Sequence, residues 1–220
     1  MKVYYDIEQG TEEWFEVKDL KFSASNASTI LAEGAGLKTL IKDMLAEHYS
    51  SGNYEEYSNK YTNKDMERGK EFEDKARSIY CLEVGEEVEQ VGFIEMNEHV
   101  GCSPDGLVGE DGLIEIKNFS DKVYLELLLS DKIEKKYFNQ MQMQMFVSGR
   151  KWCDFFVFNP NFKEKRFYLK RVYPDAETFA NLDSALKNAT KQLLEQKAIL
   201  DNIMKGNNNG TKQSRTNRKN

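Results

Sequence analysis

Apolar residues recur along this chain at two spacings, and each change from one to the other predicts an element. Residues 8–20 form a first helix, with Thr11 to cap it, acids in its first turn, and Trp14, Phe15 and Val17 as its apolar side. Ser23 or Ser25 is placed to cap a second helix running to about Ala32, which Gly34 and Gly36 end. Residues 37–51 carry Leu40, Ile41, Met44, Leu45 and His48 at helical spacing, and residues 51–63 read as a polar loop. A helix over residues 64–80 has Met66, Gly69, Phe72, Ala76 and Ile79 as its stripe. Strands follow over residues 88–96 and 99–102, then a loop and an apolar helical stretch over 119–130. Residues 133–147 alternate with period 2, yet Gln and Met favour helix, and Tyr137, Met141 and Met145 line up at i, i+4. Residues 152–158 and 165–172 are two more strands, joined by an Asn159-Pro160-Asn161 turn. Pro174-Asp175 opens a long amphipathic helix from Phe179 to Ile203.

This order predicts an α/β (α+β) domain with a central mixed β-sheet flanked by helices. The chain has 220 residues, 40% of them hydrophobic, with 13 Phe, 11 Tyr and 2 Trp, enough for one well-buried domain. We assign that domain to residues 1–204. Residues 205–220 hold five basic residues and no acid, and are expected to be a disordered basic tail. No apolar run approaches the ~20 residues of a membrane helix, and the N-terminus does not read as a secretory signal. Cys81, Cys102 and Cys153 are odd in number and far apart, which points to reduced thiols in a cytoplasmic protein and makes no zinc pattern. The formal net charge of −6 argues against a nonspecific DNA coat. It leaves room for a protein whose positive groups are concentrated in one channel.

The chemistry concentrates in residues 101–117, GCSPDGLVGEDGLIEIK, which read as a β-hairpin. Side chains alternate along a strand, so Glu115 and Lys117 share one face and Ile114 and Ile116 the other. Asp105 faces them across the hairpin. Carboxylates so placed suit Mg²⁺, which takes one or two of them together with waters and phosphate oxygens. A lysine beside them can orient a water for attack. The plain alternative for a Glu-x-Lys triplet is an exposed ion pair. Glu73 sits on or beside the stripe of its helix, where a buried acid needs a partner or a cation. Gln140 and Gln144 share a helix face and can donate hydrogen bonds to phosphate. Lys18 and Ser25 have ordinary readings as a solvated lysine and a capping serine. His48 and His99 have no nucleophile or ligand near them in sequence and read as structural.

Pro104-Asp105 followed by Glu115-Ile116-Lys117 resembles the PD-(D/E)xK nuclease signature. The fuller string Gly101-Cys102-Ser103-Pro104-Asp105-Gly106-Leu107 is similar to the version in the phage lambda exonuclease and YqaJ-like viral recombinase family. Trp14 to Ser25, Arg68-Gly69-Lys70-Glu71-Phe72-Glu73 and Gln140-Met141-Gln142 resemble further family segments in the same order. The resemblance spans about residues 10–200.

It implies a restriction-endonuclease-like core and a 5′→3′ exonuclease that digests one strand of duplex DNA to leave 3′ overhangs. Asp105, Glu115 and the Ile116 carbonyl would hold Mg²⁺, with Mn²⁺ able to substitute. Glu73 would be a further acidic ligand and Lys117 would position the attacking water. Lys18, Ser25, Ser103 and Gln140 would bind the DNA 5′-phosphate. The phage lambda enzyme has arginine where this chain has Lys18, and lysine is a point charge, not a bidentate fork. The resemblance also implies double-stranded DNA ends as substrate, a ring-shaped homotrimer, a single-strand annealing protein as partner, and a phage or prophage origin with action in the bacterial cytoplasm. Two alternatives stay open: an endonuclease or junction resolvase on the same core, and a non-catalytic DNA-end-binding module. Three scattered cysteines exclude the iron–sulfur branch of such nucleases.

Overall fold

A computed structural model describes residues 1–50 and 64–213. The described strands form two sheets. β1 (Lys2–Tyr4), β2 (Phe22–Ser23), β4 (Phe93–Asn97) and β5 (Val100–Cys102) make one, in the order β1-β4-β5-β2. β3 (Val88–Glu89), β6 (Gly106–Val108), β7 (Gly112–Lys117), β8 (Trp152–Phe158) and β9 (Phe167–Val172) make the other, in the order β3-β6-β7-β8-β9. Each is mixed: β2 runs parallel to β5 and β7 parallel to β8, and the remaining pairs are antiparallel. The helices are α1 (Glu12–Lys18), α2 (Ala27–Ala32), α3 (Ala35–Tyr49), α4 (Lys64–Val84), α5 (Asp121–Ser130), α6 (Lys135–Ser148) and α7 (Ala176–Gln213). The expected fold class holds, with two mixed sheets where one was expected.

The reason lies at Gly92 and at Ser103-Pro104-Asp105. The strand expected over residues 88–96 is cut at Gly92, so β3 joins one sheet and β4 the other. Gly92 donates its N–H to Tyr4 O at 2.9 Å, and a Cβ at this position would overlap the Ile7 carbonyl oxygen. Ser103-Pro104-Asp105 carries the chain back from β5 to β6. The two crossings touch, because Ser103 Oγ donates to Gly92 O at 2.8 Å.

The five-stranded sheet is covered on both faces. One face meets the main core, which includes Leu113, Phe155 and Met141. The other packs Ile114, Ile116, Phe156 and Phe158 against Ala76 and Tyr80 of α4. α6 is buried on nearly all sides: Met141, Gln142, Met143, Gln144 and Met145 are each 0% exposed. That burial explains the period-2 pattern of a helical segment, since a helix enclosed all round needs no polar face. Gln142 serves the connection into α7. Its Nε2 donates to Tyr173 O at 2.8 Å and its Oε1 accepts from Asp175 N at 2.8 Å. Asp175 in turn caps α7 by accepting from Thr178 N at 2.8 Å.

Several local expectations shift. Thr11 caps α1 by accepting from Trp14 N at 3.4 Å, but Ser23 and Ser25 cap nothing. A short 3₁₀ turn, Ala24–Asn26, precedes α2, and the two serine hydroxyls bond each other at 3.0 Å. Glu33 in the left-handed region ends α2, while Gly36 lies inside α3. The loop expected over residues 51–63 lies outside the described residues, as do residues 214–220 of the expected tail; α7 continues through residues 205–213. His48 bonds Asp19 at 2.7 Å and His99 bonds Leu20 O at 3.2 Å, both structural contacts. All three cysteines are free, and burial pushes the Cys102 and Cys153 thiols up, which keeps them unreactive. Among the described residues no helix is long and apolar enough to cross a membrane.

One charge in this sheet was not anticipated. Asp154 in β8 is 0% exposed. It accepts from Arg171 Nε and Nη2 at 2.8 and 2.9 Å and from the Tyr80 hydroxyl at 2.7 Å, while the guanidinium lies 3.5 Å over the Trp152 ring. Removing one member of a buried pair strands the other. Asp154→Ala is therefore expected to destabilise the fold by about 3 kcal/mol, measured by urea unfolding.

Candidate active site

The centre is built where β6 and β7 separate. Their ladder pairs Val108 with Gly112, Leu107 with Leu113 and Gly106 with Ile114, and stops there. Beyond it Pro104 has no N–H to offer, and Ile116 has no partner strand on that side. The Asp105 carboxylate takes that role: Oδ2 accepts from Ile116 N at 2.6 Å. The hairpin thus aims its own aspartate at the end of β7, beside Glu115 and Lys117.

Alternation along β7 turns Ile114 and Ile116 toward α4 and Glu115 toward α6. Glu115 is 0% exposed and fully engaged. Gln140 Nε2 donates to its Oε1 at 2.7 Å, Gln144 Nε2 donates to its Oε2 at 2.6 Å, and the Lys117 ammonium pairs with Oε1. Lys117 is partly exposed, and its Nζ lies 5.8 Å from the centroid of the Tyr137 ring. Burial alone would lower the Lys117 pKa; Glu115 and Asp105 outweigh it and raise it, so the amine stays protonated. Asp105 is shifted the other way for a carboxylate: burial and the negative charge of Glu115 hold its pKa well above the usual range.

Glu73, on α4, stands at the rim. Burial raises its pKa, against the pull of Arg77 and Lys117. Arg77 Nη2 donates to Glu73 Oε1 at 2.7 Å. A cleft of about 570 Å³ opens here, lined by Asp6, Glu8, Glu73, Asp74, Arg77 and Asp105 among others. Two of the expected metal-site carboxylates, Asp105 and Glu115, therefore stand at the end of β7, with Asp105 bonded to the Ile116 N–H. Glu73 shares the cleft with Asp105. Among the described residues no three His, Cys, Asp or Glu side chains stand close enough to form a cage for an ion. Mg²⁺ does not require one, since waters and substrate oxygens complete its shell. A divalent cation would offset both the burial and the nearby Glu115 charge that raise Asp105, and the donors are all hard oxygens. The residues fit such an ion.

The residues expected at a 5′-phosphate divide. Parallel pairing of Phe22 with Val100 and Ser23 with Gly101 brings Ser25 and Ser103 to the same end of the four-stranded sheet. Trp14 Nε1 donates to Ser103 Oγ at 3.0 Å and to Gly92 O at 3.1 Å, and Lys18 Nζ lies 4.0 Å over the Trp14 ring. Lys18 and Ser103 are thus joined through one indole, whose N–H and ring face act beyond the apolar side expected of Trp14. Gln140 is placed elsewhere, on Glu115. Two other partners were not anticipated. Gln144 binds Glu115 instead of a phosphate, and Arg77 stands four residues after Glu73, an i, i+4 spacing that was readable as an ion pair.

Solved structures share this arrangement of elements. The chain superposes on an alkaline exonuclease, LHK-Exo, from Laribacter hongkongensis with a TM-score of 0.81 and 29% identity, covering 89% of this chain and 99% of that one. The same exonuclease in complex with dAMP matches equally well. A phage-related exonuclease from Haemophilus somnus 129PT shares the fold at a TM-score of 0.62 and 16% identity, covering 84% of this chain and 98% of that one. No curated protein sequence matches. The family model for the YqaJ-like viral recombinase domain matches residues 13–151, and the chain belongs to that family.

Lys18 offers a direct check on how this end of the site is built. Burial lowers its pKa to about 8 from the usual 10.5, with Glu47 opposing. Between those values the unfolded chain binds the extra proton, so stability rises with pH across that window. Lys18→Met is expected to remove this rise between about pH 8 and 10.5, as read by thermal melts across that range.

Proposed function

We propose that this chain is a Mg²⁺-dependent 5′→3′ exonuclease that digests one strand of linear double-stranded DNA and leaves 3′ single-stranded overhangs for recombination by strand annealing. The observation that carries this reading is the Asp105–Glu115–Lys117 centre, in which a fully buried glutamate is paired with a protonated lysine and Asp105 lines an open cleft. Family membership and the likeness to an alkaline exonuclease that is also solved with dAMP support it. A deoxynucleoside 5′-monophosphate is the product expected when single nucleotides are removed from a 5′-phosphorylated end.

In this reading Asp105, Glu115 and the Ile116 carbonyl would hold Mg²⁺, or Mn²⁺ in its place, with Glu73 a ligand directly or through water. The ion when bound supplies positive charge to the scissile phosphate and lowers the pKa of water. The residues do the rest. Gln140 and Gln144 keep Glu115 in one orientation. Lys117 is held cationic, so it acts as a donor that orients the attacking water. Water adds at phosphorus, the bond to the 3′-oxygen of the terminal nucleotide breaks, and that oxygen leaves as a hydroxyl. Lys18, Ser25 and Ser103 would take the terminal 5′-phosphate, and Gln140 could join them only by leaving Glu115. The lysine still carries most of its charge at neutral pH with a pKa of about 8. A ring-shaped homotrimer around DNA, acting with a single-strand annealing protein in the host cytoplasm, completes the proposal. Exposed Leu194, Ile199, Ile203 and Met204 on α7 offer an apolar face to such an assembly.

Two outcomes check it. Lys117→Ala and Asp105→Ala are each expected to cut Mg²⁺-dependent digestion of linear duplex by about 10²–10⁴-fold while the circular dichroism spectrum is unchanged. Wild-type rates in both would remove the centre from the mechanism. Duplex labelled at either end, with and without a 5′-phosphate, should lose label from 5′ ends first. The 5′-phosphate should accelerate digestion, and covalently closed circles should be spared; cleavage of circles would favour the endonuclease alternative.

A further inference from the structure

Arg77 takes part in none of the roles above, yet it is the side chain on which the rim of the centre converges. It is only 12% exposed. Its Nη2 donates to Glu73 Oε1 at 2.7 Å and its Nη1 to Asp74 Oδ1 at 2.7 Å. Nη2 also reaches the backbone carbonyl of Asp105 at 3.5 Å. Gln90, with its amide oxygen turned toward the guanidinium, accepts from Nη1 at 2.6 Å and Nη2 at 2.9 Å. One planar cation therefore joins α4, the link from β3 to β4, and the crossing loop that carries Asp105. All three line the same cleft.

We propose that Arg77 is a positioning residue for the metal-binding edge, setting Glu73 against the Asp105 loop. The proposal rests on the nuclease reading. α4 reaches the five-stranded sheet through the cluster around Ala76 and Tyr80, on the face away from Glu115. Nothing in that apolar packing sets where the Glu73 carboxylate points. Arg77 does so, because its fork meets the carboxylate with one nitrogen and the Asp105 carbonyl with the same one, while Gln90 and Asp74 hold its plane. A lysine has one nitrogen and no plane, so it could reach Glu73 but could not also be held in orientation by Asp74 and Gln90. Supports of this kind typically change metal affinity by tenfold to a hundredfold.

The test uses the full chain with Arg77→Met, Arg77→Lys, Glu73→Gln and the Glu73→Gln/Arg77→Met pair. Mn²⁺ affinity of the metal-free protein is read by isothermal titration, kcat and KM on 5′-phosphorylated linear duplex, and melting temperature alongside. Arg77→Met is expected to weaken Mn²⁺ binding and lower kcat by about tenfold to a hundredfold with KM little changed, and Arg77→Lys to recover part of both. The double variant should bind Mn²⁺ no worse than Glu73→Gln alone, because Arg77 acts through Glu73. A lowered melting temperature with wild-type Mn²⁺ affinity and kcat would overturn the proposal and leave the nuclease reading standing. Losses that multiply in the double variant would overturn it too. A wild-type chain that binds no Mn²⁺ and digests no duplex would overturn both. Should Arg77→Met fail to fold, Arg77→Lys carries the same reading, and wild-type values in it would reject the proposal.

Discussion

The carboxylate of Glu115 sits where no water reaches it, and the surrounding structure follows from that. An ionised carboxylate removed from water is tolerated only when its oxygens are occupied by donors. Three donors do so here, and two of them, Gln140 and Gln144, come from α6. The helix is thereby tied to one strand position in β7 by a charge, not only by apolar area. α6 also contacts both sheets and α7, and is buried almost all round. Its methionines adapt to those uneven surfaces because the side chain is unbranched and flexible. The centre is part of the core, and a helix placed a turn differently along β7 would leave the glutamate with Lys117 as its one remaining partner.

Asp105 answers a different constraint. The chain passes directly from a strand of one sheet to a strand of the other twice, at Gly92 and at Ser103-Pro104-Asp105, and these crossings lie against each other. Trp14 closes over both through its indole N–H, and Gln9 reaches Val91 O at 3.3 Å and Pro104 O at 3.2 Å. Irregular backbone that leaves a sheet needs such partners, since its N–H and C=O groups have lost the ladder. The same loss frees Ile116 N–H for Asp105. The aspartate points at the end of β7 because that is where an unpaired donor waits.

Period and turn chemistry made most of the elements readable. The face shared by Glu115 and Lys117 followed from alternation alone, and the Gln140–Gln144 face from helical spacing, although its partner proved to be a carboxylate. What escaped was mainly long-range. Residues 88–96 look like one strand because Val88, Val91, Phe93 and Ile94 are all compatible with one. Only the close approach of Ile7 to Gly92 cuts it, across 85 positions of chain. The buried Asp154 had no local signal, as Arg171 and Tyr80 reach it from 17 and 74 positions away. Ser23 and Ser25 look like caps in any helix-start pattern, but the pairing of β2 with β5 extends the backbone there and turns the two hydroxyls on each other. The Glu73–Arg77 pair was visible in the spacing, yet spacing could not tell a solvated pair from one wedged beneath a loop.

The charges of the chain become intelligible once these positions are known. A net charge of −6 is unfavourable for a partner made of phosphates. The acids of the cleft, Asp6, Glu8, Glu73, Asp74 and Asp105, would repel a phosphate backbone on their own. On the proposed reading a divalent cation reverses the sign there, at the one place where the scissile group must come. On the same reading the terminal phosphate would meet the other pole, where Lys18 lies over Trp14 and Ser103 is held by the same ring. The indole separates the two, with its N–H on the crossing loop and its face under the ammonium. A strand end laid between them is oriented by opposite requirements at its two phosphates, so the direction of digestion would be set by the placement of charge and would need no recognition of bases.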